Sequence, residues 1–399
     1  MHILLIHQAF AALNEPGGTR HHELALLLAQ AGHQVTVVAS PVSYLTGTRA
    51  ELGEETQGGV RVIRSYTYAA LHKSFVHRVF AFFSFMVSSF WAGLRVRDVD
   101  MVWGTSPPIF QGVTAWALSA WKRVPLLMEV RDLWPAFAVQ MGVLTNPVLI
   151  RLSEWLERFL LGRATQVMVN SPGFLPHVQA KGAQNVALVP NGTDVRMFYP
   201  EDDGATFRRE NGLEGKFVVM YAGAHGMAND LGVVIRAAEQ LRDRSDIALV
   251  LIGDGKEKTN LIEQARALSL NNVHFIPPVP KSDMGRALAG ADACLGILMP
   301  VPLYATVYPN KIFDYMAAGR PTILMMEGVI REVIEAAEGG IYVPCGDADA
   351  LAQTIRSLAN QPESCQRMGK FARAYVETHF DRVTLGQKLV ALVESLKQK

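Results

Sequence analysis

Residues 3–39 read ILLIHQAFAALNEPGGTRHHELALLLAQAGHQVTVVA, and this stretch decides the fold. An apolar strand at 3–7 is followed by a Gly-containing loop, a helix over about 19–31 and a second strand at 35–39. A strand, a helix and a strand in this order predict parallel pairing, with helices covering the faces of the sheet. We therefore expect an α/β protein.

The same alternation continues through the chain and starts again after residue 215. Further strands are predicted at 60–63, 101–104, 126–130, 166–170 and 187–189, and then at 217–222, 247–252, 273–276, 293–297, 322–324 and 341–343. The restart predicts two doubly wound, Rossmann-like domains, residues 1–195 and 196–380. Ligands bind beyond the carboxyl ends of strands in such sheets, so we expect the site where the two domains face each other across a cleft.

The composition excludes several classes of protein. Of 399 residues, 49% are hydrophobic and 19% are charged, which supports a large core and excludes disorder. Residues 1–190 hold 15 Lys and Arg against 11 Asp and Glu, an excess too small to indicate nucleic-acid binding. Cys294, Cys345 and Cys365 lack zinc-type spacing and are predicted to be free thiols in a reducing compartment.

Residues 79–94, VFAFFSFMVSSFWAGL, break the pattern because sixteen residues pass without a charge. Lys73 and Arg78 precede them, and Arg95 and Arg97 follow. A bilayer span needs about 20 residues, so we weigh a buried helix against a helix in the membrane interface with basic flanks on anionic head groups. The high mean hydropathy of +0.14 favours the interfacial helix. Because the amino end resembles a strand and not a signal peptide, we expect a cytoplasmic protein, peripheral on the inner face of the plasma membrane.

Residues 309–321, PNKIFDYMAAGRP, are predicted to form a loop that delivers Lys311 and then a helix that Gly319 ends. The free N–H groups and partial positive charge of a helix N-terminus suit a phosphate, and Lys311 adds a full charge. Asp314 lies about one turn into the helix and is suited to accept from a sugar diol. These groups predict a nucleotide-sugar site. The alternative is an ordinary loop–helix junction with a surface lysine.

Two segments of the first half have both a functional and an ordinary interpretation. Gly17 and Gly18 let a backbone approach a phosphate, but a Gly-Gly turn is often only a turn. No G-x-G-x-x-G follows the first strand, which disfavours a dinucleotide oxidoreductase. Arg131 and Asp132 follow an apolar strand, where charges are often functional, or they form a local ion pair.

In the second half, small residues and one histidine follow two of the predicted strands. Gly223 allows close approach of a ligand, and His225 is placed to donate to it, although a lone loop histidine is more often incidental. Gly253 begins a Gly-Asp-Gly turn after the next strand. The position of these residues indicates a site more strongly than the motifs do.

Taken together, these segments resemble glycosyltransferase family 4, whose members have the GT-B fold of two Rossmann-like domains. The resemblance runs along nearly the whole chain and includes the Gly17-Gly18 loop, residues 190–194 with Phe198, residues 253–255 and residues 310–321. Residues 106–108 (SPP) and 131–135 (RDLWP) are similar to the bacterial subgroup that builds O-antigen, capsule and exopolysaccharide. Fucosamine transferases are the best-known members of that subgroup.

The resemblance implies a retaining, metal-independent transfer of a hexosyl-type sugar from a nucleotide diphosphate, with UDP as the carrier by analogy. The implied acceptor is a polyprenyl-diphosphate-linked saccharide, as in the synthesis of lipopolysaccharide, capsule or exopolysaccharide. No cofactor is implied beyond the nucleotide sugar as co-substrate. The final helix, about 381–397, is expected to pack back on the first domain, as is usual in this fold.

The motifs and the resemblance together assign the site residues. Donor binding is assigned to Gly223, His225, Gly253, Val279, Asn310, Lys311, Asp314 and Glu332. Catalytic support is assigned to Arg131, Asp132, Lys311 and Gly18. Acceptor binding is assigned to Gly17, Gly18, Thr19, Arg20, Ser106 and Arg131.

The chain departs from the family pattern at two places. Asp314 stands at the second Glu of the Glu-x7-Glu pair, which binds ribose hydroxyls, and Thr306 stands at the first. Residues 223–231 lack the Arg and Lys that hold the diphosphate in many relatives, which leaves Lys311 as the only obvious cation. Alternatives therefore stay open: a GT-B epimerase, a transferase to a soluble acceptor, or a degenerate protein that only binds.

Overall fold

The computed structural model describes residues 1–43, 47–68, 75–202 and 204–397, and the chain folds as two compact units. Unit 1 comprises Met1–Ala12, Gly17–Pro190 and Val383–Lys399. Unit 2 comprises Leu13–Pro16 and Asn191–Arg382. The chain thus leaves unit 1 after Pro190 and returns to it after Arg382. Lys73, one of the predicted basic flanks, lies outside the described residues.

Unit 1 is built on a sheet of eight strands among the described residues. The strands are β1 (His2–Ile6), β2 (Gln34–Ala39), β3 (Gly53–Gln57), β4 (Val60–Arg64), β5 (Met101–Ser106), β6 (Leu126–Val130), β7 (Gln166–Val169) and β8 (Val186–Leu188). They lie in the order β3-β4-β2-β1-β5-β6-β7-β8, and every neighbouring pair is parallel except β3 with β4. Strands β1, β5 and β6 are buried at every residue, which explains why they are rich in apolar residues.

Strand β3 is absent from the sequence prediction. Its five residues, GEETQ, are polar, and four of them are exposed. It turns back on β4 through Gly58 and Gly59, both of which have positive φ, and forms the antiparallel edge of the sheet. Hydrogen bonds between the two backbones hold it in place, so no apolar periodicity marks it.

Six helices of the described residues follow the strands of unit 1 before the chain enters unit 2. They are α1 (Arg20–Gln30), α2 (Phe75–Arg95), α3 (Ile109–Lys122), α4 (Ala136–Gln140), α5 (Pro147–Arg163) and α6 (Leu175–Ala180). Helix α2 packs on α3, and α3 packs on α5, so these three helices form one layer.

The apolar segment 79–94 lies within α2 and is buried on one side only. Ala81, Phe85 and Ser89 are buried, Phe85 in a core cluster with strand residues and Ser89 against Thr114 of α3. Phe80 and Trp91, on the other side, are 61% and 57% exposed. The helix is thus buried in part, and the choice between a buried helix and a helix in the membrane interface stays a prediction. No helix of the described residues is long and apolar enough to cross a bilayer.

Unit 2 repeats the plan with six parallel strands among the described residues. The strands are β9 (Phe217–Ala222), β10 (Ile247–Ile252), β11 (Val273–Ile276), β12 (Ala293–Ile297), β13 (Thr322–Met325) and β14 (Gly340–Tyr342), in the order β11-β10-β9-β12-β13-β14. The helices are α7 (Ala205–Glu210), α8 (Gly232–Gln240), α9 (Lys258–Ala267), α10 (Lys281–Ala289), α11 (Asn310–Ala317), α12 (Val329–Ala336), α13 (Ala348–Ala359) and α14 (Pro362–His379). Apolar clusters cover both faces of this sheet. The predicted α/β class with two doubly wound units is confirmed.

Helix α15 (Arg382–Leu396) starts at the last residue of unit 2 and continues in unit 1. Leu389, Val393 and Leu396 are buried in the same core cluster of unit 1 as Leu24 and Leu28 of α1. The end of the chain therefore supplies part of the core that the first strands begin.

Candidate functional site

Two glycine loops meet at the carboxyl edge of the unit 2 sheet. Strand β9 ends at Ala222 and is followed by Gly223, which has φ of 155°; β10 ends at Ile252 and is followed by Gly253, with φ of 142°. A side chain at Gly253 would place its Cβ 1.9 Å from the carbonyl oxygen of Gly223. Only glycine satisfies both the backbone angle and the close approach, so these loops bring bare backbone to the strand ends.

His225 lies between these loops and is fully buried. Its backbone N–H donates to the Asp254 carbonyl at 2.8 Å, and its carbonyl accepts from the Glu257 N–H at 2.9 Å. Neither ring nitrogen has a hydrogen-bond partner among the described residues. Burial lowers the pKa of His225 to about 4, and Lys258 adds to the shift. The neutral ring thus holds one donor and one acceptor that no described residue satisfies, which makes His225 a candidate for a ligand contact.

Lys311 is the second residue of α11, so it lies inside the helix and not in the loop that the sequence predicts. Its Nζ donates to the Tyr221 hydroxyl at 2.7 Å and to Asn229 Oδ1 at 3.2 Å, and it lies 4.1 Å from the centre of the Tyr221 ring. No carboxylate of the described residues lies within ion-pair distance of it. Burial lowers the pKa of Lys311 to about 7, although the residue keeps some solvent contact. A cation with only neutral partners is suited to bind an anion.

A second lysine, Lys258, lies close enough to His225 to lower its pKa. Lys258 is the first residue of α9, and its Nζ donates to the Gly253 carbonyl at 2.7 Å. The expectation that Lys311 is the only cation here is therefore incomplete. Lys258 is not predicted from the sequence, because its spacing from the Gly253 turn matches no phosphate-binding motif.

Asp314 is committed to contacts inside unit 2. Its Oδ1 accepts from Thr193 Oγ1 at 2.6 Å and from Lys281 Nζ at 2.5 Å, and the Lys281 and Asp314 side chains are 7% and 12% exposed. This oxygen is not the free acceptor for a ribose diol that the sequence predicts. Sequence reasoning missed Lys281 altogether, because a lysine in a loop-like Pro-Lys-Ser stretch is usually a surface residue.

The remaining donor-side residues are placed differently from one another. Asn310 begins α11, and its Oδ1 accepts from Arg382 Nη2 at 2.9 Å. The same Nη2 donates to the Gly192 carbonyl. Val279 is half-buried against the unit 2 core, whereas Glu332 is exposed on α12 without a side-chain partner among the described residues. Arg382, which no sequence motif marks, therefore fixes Asn310 at the start of the Lys311 helix.

In unit 1, the loop before α1 exposes its two glycines, whereas Thr19 and Arg20 after them are buried. Gly17 has φ of 145°. Thr19 Oγ1 donates to Glu23 at 2.6 Å. Arg20 donates to Glu129 and to the carbonyls of residues 189 and 190. Thr19 and Arg20 thus face inward and brace the unit, contrary to the expectation that they contact an acceptor.

Glu129, near the end of β6, is bonded to both Arg20 and His21. Arg20 Nε donates to Oε1 at 3.1 Å, and His21 Nε2 lies 2.7 Å from Oε2. Burial alone would raise the pKa of Glu129, but His21 and Arg20 lower it to about 2. Burial lowers the pKa of His21 to about 4. We infer a carboxylate held by the guanidinium and by a neutral imidazole that donates its Nε2–H.

The predicted catalytic pair of unit 1 follows directly after Glu129 and Val130. The Arg131 N–H donates to the carbonyl of Ser106, and its Nη2 donates to Pro107 at 2.6 Å. Desolvation raises the pKa of the Asp132 carboxyl to about 6, and the positive charge of Arg131 works against that rise. Ser106, Arg131 and Asp132 are thus brought together at the carboxyl edge of unit 1, as the strand ends predict.

Two family models match the chain and together cover most of it. Residues 17–192 match the glycosyl transferase 4-like domain, and residues 203–375 match glycosyl transferases group 1. The first match falls within the sheet and helices of unit 1, and the second contains the glycine loops, His225 and Lys311. Unit 1 therefore matches a glycosyl transferase 4-like domain and unit 2 a glycosyl transferases group 1 domain, which supports a glycosyltransferase.

Among proteins of known sequence, the chain is similar to the putative colanic acid biosynthesis glycosyl transferase WcaI of Escherichia coli K12. The two are 24% identical over 381 residues, which is 90% of this chain and 91% of the relative. Among solved structures, it resembles sucrose-phosphate synthase from Thermosynechococcus elongatus, with a TM-score of 0.80, 20% identity and coverage of 99% and 98% of the two chains. Anabaena HepE in complex with UDP and glucose aligns with a TM-score of 0.74, 17% identity and coverage of 99% and 100%. The expected GT-B fold is confirmed.

Proposed function

We propose that the protein is a retaining, metal-independent glycosyltransferase. It moves a sugar from a nucleotide diphosphate, UDP by analogy with the HepE complex, to a lipid-linked saccharide. The single observation that carries the donor half of this proposal is Lys311, which is held near Gly223 with only neutral partners among the described residues. A buried ammonium without a counter-ion is costly in the ligand-free protein, and an anionic diphosphate would supply that counter-ion.

The donor site stabilises the negative charge that forms when the glycosidic bond breaks. As the bond between the anomeric carbon and the phosphate oxygen breaks, charge accumulates on the leaving diphosphate, and Lys311 and the N-terminus of α11 stabilise it. His225 donates one hydrogen bond from its neutral ring to the sugar or phosphate. The acceptor hydroxyl forms the new bond on the same face of the sugar, and its proton passes to the leaving phosphate. The configuration is retained without a protein nucleophile.

On unit 1 we assign the acceptor to groups that reach solvent at least in part. Gly17 and Gly18 offer backbone, and Arg131 and Asp132 stand together at the strand end. Arg131 is suited to an acceptor's phosphate, and Asp132 is suited to orient a hydroxyl. Thr19 and Arg20 act on the acceptor only by holding the glycine loop in place.

The resemblance to WcaI supports a role in the synthesis of bacterial surface polysaccharide. A lipid-linked acceptor lies in a membrane, and α2 exposes an apolar side on which it would lie in the membrane interface. We propose that the protein works there as a peripheral enzyme. The narrower assignments, to the fucosamine transferase subgroup and to a hexosyl-type donor, stay predictions.

The donor assignment is tested with a panel of nucleotide sugars. One of them should raise the unfolding temperature and be slowly hydrolysed, which would exclude a protein that only binds. Lys311→Ala should lower turnover by roughly 100-fold, the scale of losing one contact to a developing oxyanion. Lys370→Ala, an exposed lysine of unit 2, is the matched control. Near-normal turnover of Lys311→Ala, or activity lost in EDTA and restored by magnesium, would refute the proposal.

A further inference from the structure

Helix α5 exposes a stripe of apolar side chains to solvent. Val148, Leu152 and Trp155 are 64%, 56% and 61% exposed, and their spacing of four and three residues places them on one side of the helix. The opposite side is buried through Leu160 and Leu161. The helix therefore has a packed apolar side and a second, uncovered one.

Aromatic rings connect this stripe to the exposed side of α2. Phe83 of α2 contacts Phe110 of α3 with ring centres 4.9 Å apart. Farther along α3, Trp116 contacts Phe159 of α5 at 4.8 Å, and Phe159 stacks on Trp155 at 5.5 Å. The three helices thus share one outer surface, which we call the three-helix face.

The three-helix face concentrates the exposed apolar surface of the protein. Half of the eighteen large apolar residues that are exposed among the described residues lie on it: Phe80, Phe83, Val87, Trp91, Trp121, Val148, Leu149, Leu152 and Trp155. A contiguous patch of this kind marks an interaction site. Three of its members are tryptophans, which are enriched where protein meets the membrane–water interface.

Most of the charges on and beside this face are basic, and the exposed Asp98 and Asp100 after α2 are the exceptions. Helices α2 and α3 contain no Asp or Glu, and the two acids of α5, Glu154 and Glu157, both lie within 3.5 Å of Lys181. The exposed basic residues on and next to these helices are Arg95, Arg97, Arg123, Arg151, Arg158 and Arg163. By helical spacing, Arg151 and Arg158 flank the Val148 stripe. An anionic surface complements this rim, whereas a second copy of the same face would be repelled by it.

We infer that α2, α3 and α5 together dock on a bilayer containing anionic lipid. The helices lie along the bilayer surface, with the three tryptophans and the α5 stripe in the interface and the arginines at the head groups. This inference rests on the proposed function, because docking on a membrane would bring the enzyme to its lipid-linked acceptor. It extends the docking surface from one helix to three.

Vesicle binding by the full chain tests the inference without any sugar transfer. Binding to vesicles of phosphatidylcholine with phosphatidylglycerol should exceed binding to phosphatidylcholine alone. The double variant Leu152→Ser/Trp155→Ser should lose about tenfold or more of that affinity, because two large side chains no longer enter the interface. Tyr199→Ser/Phe371→Ser removes two exposed apolar residues of unit 2 and should bind as the wild type does.

A fluorescence measurement keeps the test independent of any loss of folding. Brominated phosphatidylcholine quenches tryptophan emission at short range. Trp155→Phe should bind vesicles normally and lose part of the quenchable emission. If its quenching matches that of the wild type, Trp155 does not enter the bilayer and the inference fails.

The remaining outcomes separate this inference from the proposed function. If the α5 double variant binds vesicles normally while Phe80→Ser/Val87→Ser does not, α2 docks alone and the three-helix face is refuted. If the wild type is a dimer that the α5 double variant dissociates, the face is an interface between copies, which also refutes it. Hydrolysis of a nucleotide sugar in detergent is unaffected in either case, so the donor assignment stands or falls separately.

Discussion

At the carboxyl edges of the two sheets, a buried charge has a partner of opposite charge in unit 1 but not in unit 2, among the described residues. In unit 1, Glu129 is held by Arg20 and His21, and all of its charge is compensated inside the protein. In unit 2, Lys311 has hydroxyl and amide partners but no carboxylate among the described residues. The first arrangement stabilises a fold. The second leaves an electrostatic requirement that a ligand can meet, so unit 2 is where an anionic donor is expected.

Two lysines of unit 2, Lys281 and Lys311, differ in the same way. Lys281 and Lys311 are both largely enclosed, but Lys281 lies 2.5 Å from Asp314. Lys281 also lies 5.1 Å from the centre of the Phe198 ring. A lysine whose charge is matched contributes to the packing of the domain, whereas Lys311 is available for chemistry. Residue type alone does not distinguish the two; the partner does.

The largest expected effect is at the compensated site. Glu129→Ala should lower the free energy of unfolding by about 3–5 kcal/mol, because it leaves the Arg20 guanidinium buried without its carboxylate. Urea unfolding measures this change. Glu54→Ala, which breaks the exposed pair with Arg61 in the same unit, should cost about 0–1 kcal/mol. Equal losses for the two variants would show that the Glu129 network does not stabilise unit 1.

The two lysines should respond in opposite ways to the same substitution. Lys281→Met should destabilise the protein by roughly 3 kcal/mol, since Asp314 stays buried without its cation. Lys311→Met should leave stability within about 1 kcal/mol of the wild type or raise it, because it removes a charge that has no counter-ion.

Thermal and urea unfolding of the two variants check this difference. Adding Asp314→Leu to Lys281→Met should restore part of the loss, since both members of the pair are then apolar. A Lys311→Met protein that is as unstable as Lys281→Met would contradict the contrast between the two lysines.

The smallest expected effect is on the pH dependence of ligand binding. Burial lowers the pKa of Lys311 to about 7, so the side chain is protonated below pH 7 and loses its charge as the pH rises through 7. An anionic diphosphate binds the protonated form and raises the pKa. Above pH 7, where the terminal phosphate of UDP is already fully ionised, affinity for UDP should therefore fall by about tenfold per pH unit, as one proton is taken up on binding.

Calorimetry in buffers of different ionisation enthalpy measures that proton directly. Lys311→Met should bind UDP weakly and show no slope between pH 7 and 9, whereas Lys370→Ala should retain the slope. A wild-type affinity that does not change over this range would mean that Lys311 does not contact the diphosphate.

Much of the fold can be predicted from the sequence, because buried parallel strands are continuous apolar runs. The strands at 3–7 and 247–252 are of this kind, and the structure places strands there within one residue. Strand β3 escapes prediction because GEETQ carries no apolar pattern. The α5 stripe escapes for the opposite reason: two apolar sides of one helix look alike in sequence, and only packing shows which side is covered.

The candidate site is predictable where one short segment contains its chemistry. Lys311 is recognisable because helix start and cation are adjacent in sequence. Lys281 and Arg382 are not, since each acts on a residue that is 33 or more positions away. Arg20, for which an acceptor role is predicted, is buried and bonded to Glu129, which is 109 positions distant. Long-range pairing decides whether a charged residue is structural or functional, and a single sequence does not contain it.

The path of the chain has a consequence for how the protein is made. Leu389, Val393 and Leu396 are buried in the core that α1 and the first strands begin, yet the ribosome adds them only after it has added the whole of unit 2. Until they emerge, the α1 side of the nascent unit 1 lacks part of its apolar cover. Unit 2, by contrast, is already synthesised in full at that point. The first half to be translated is thus the last to be completed, and it is the half that depends most on protection from aggregation during synthesis.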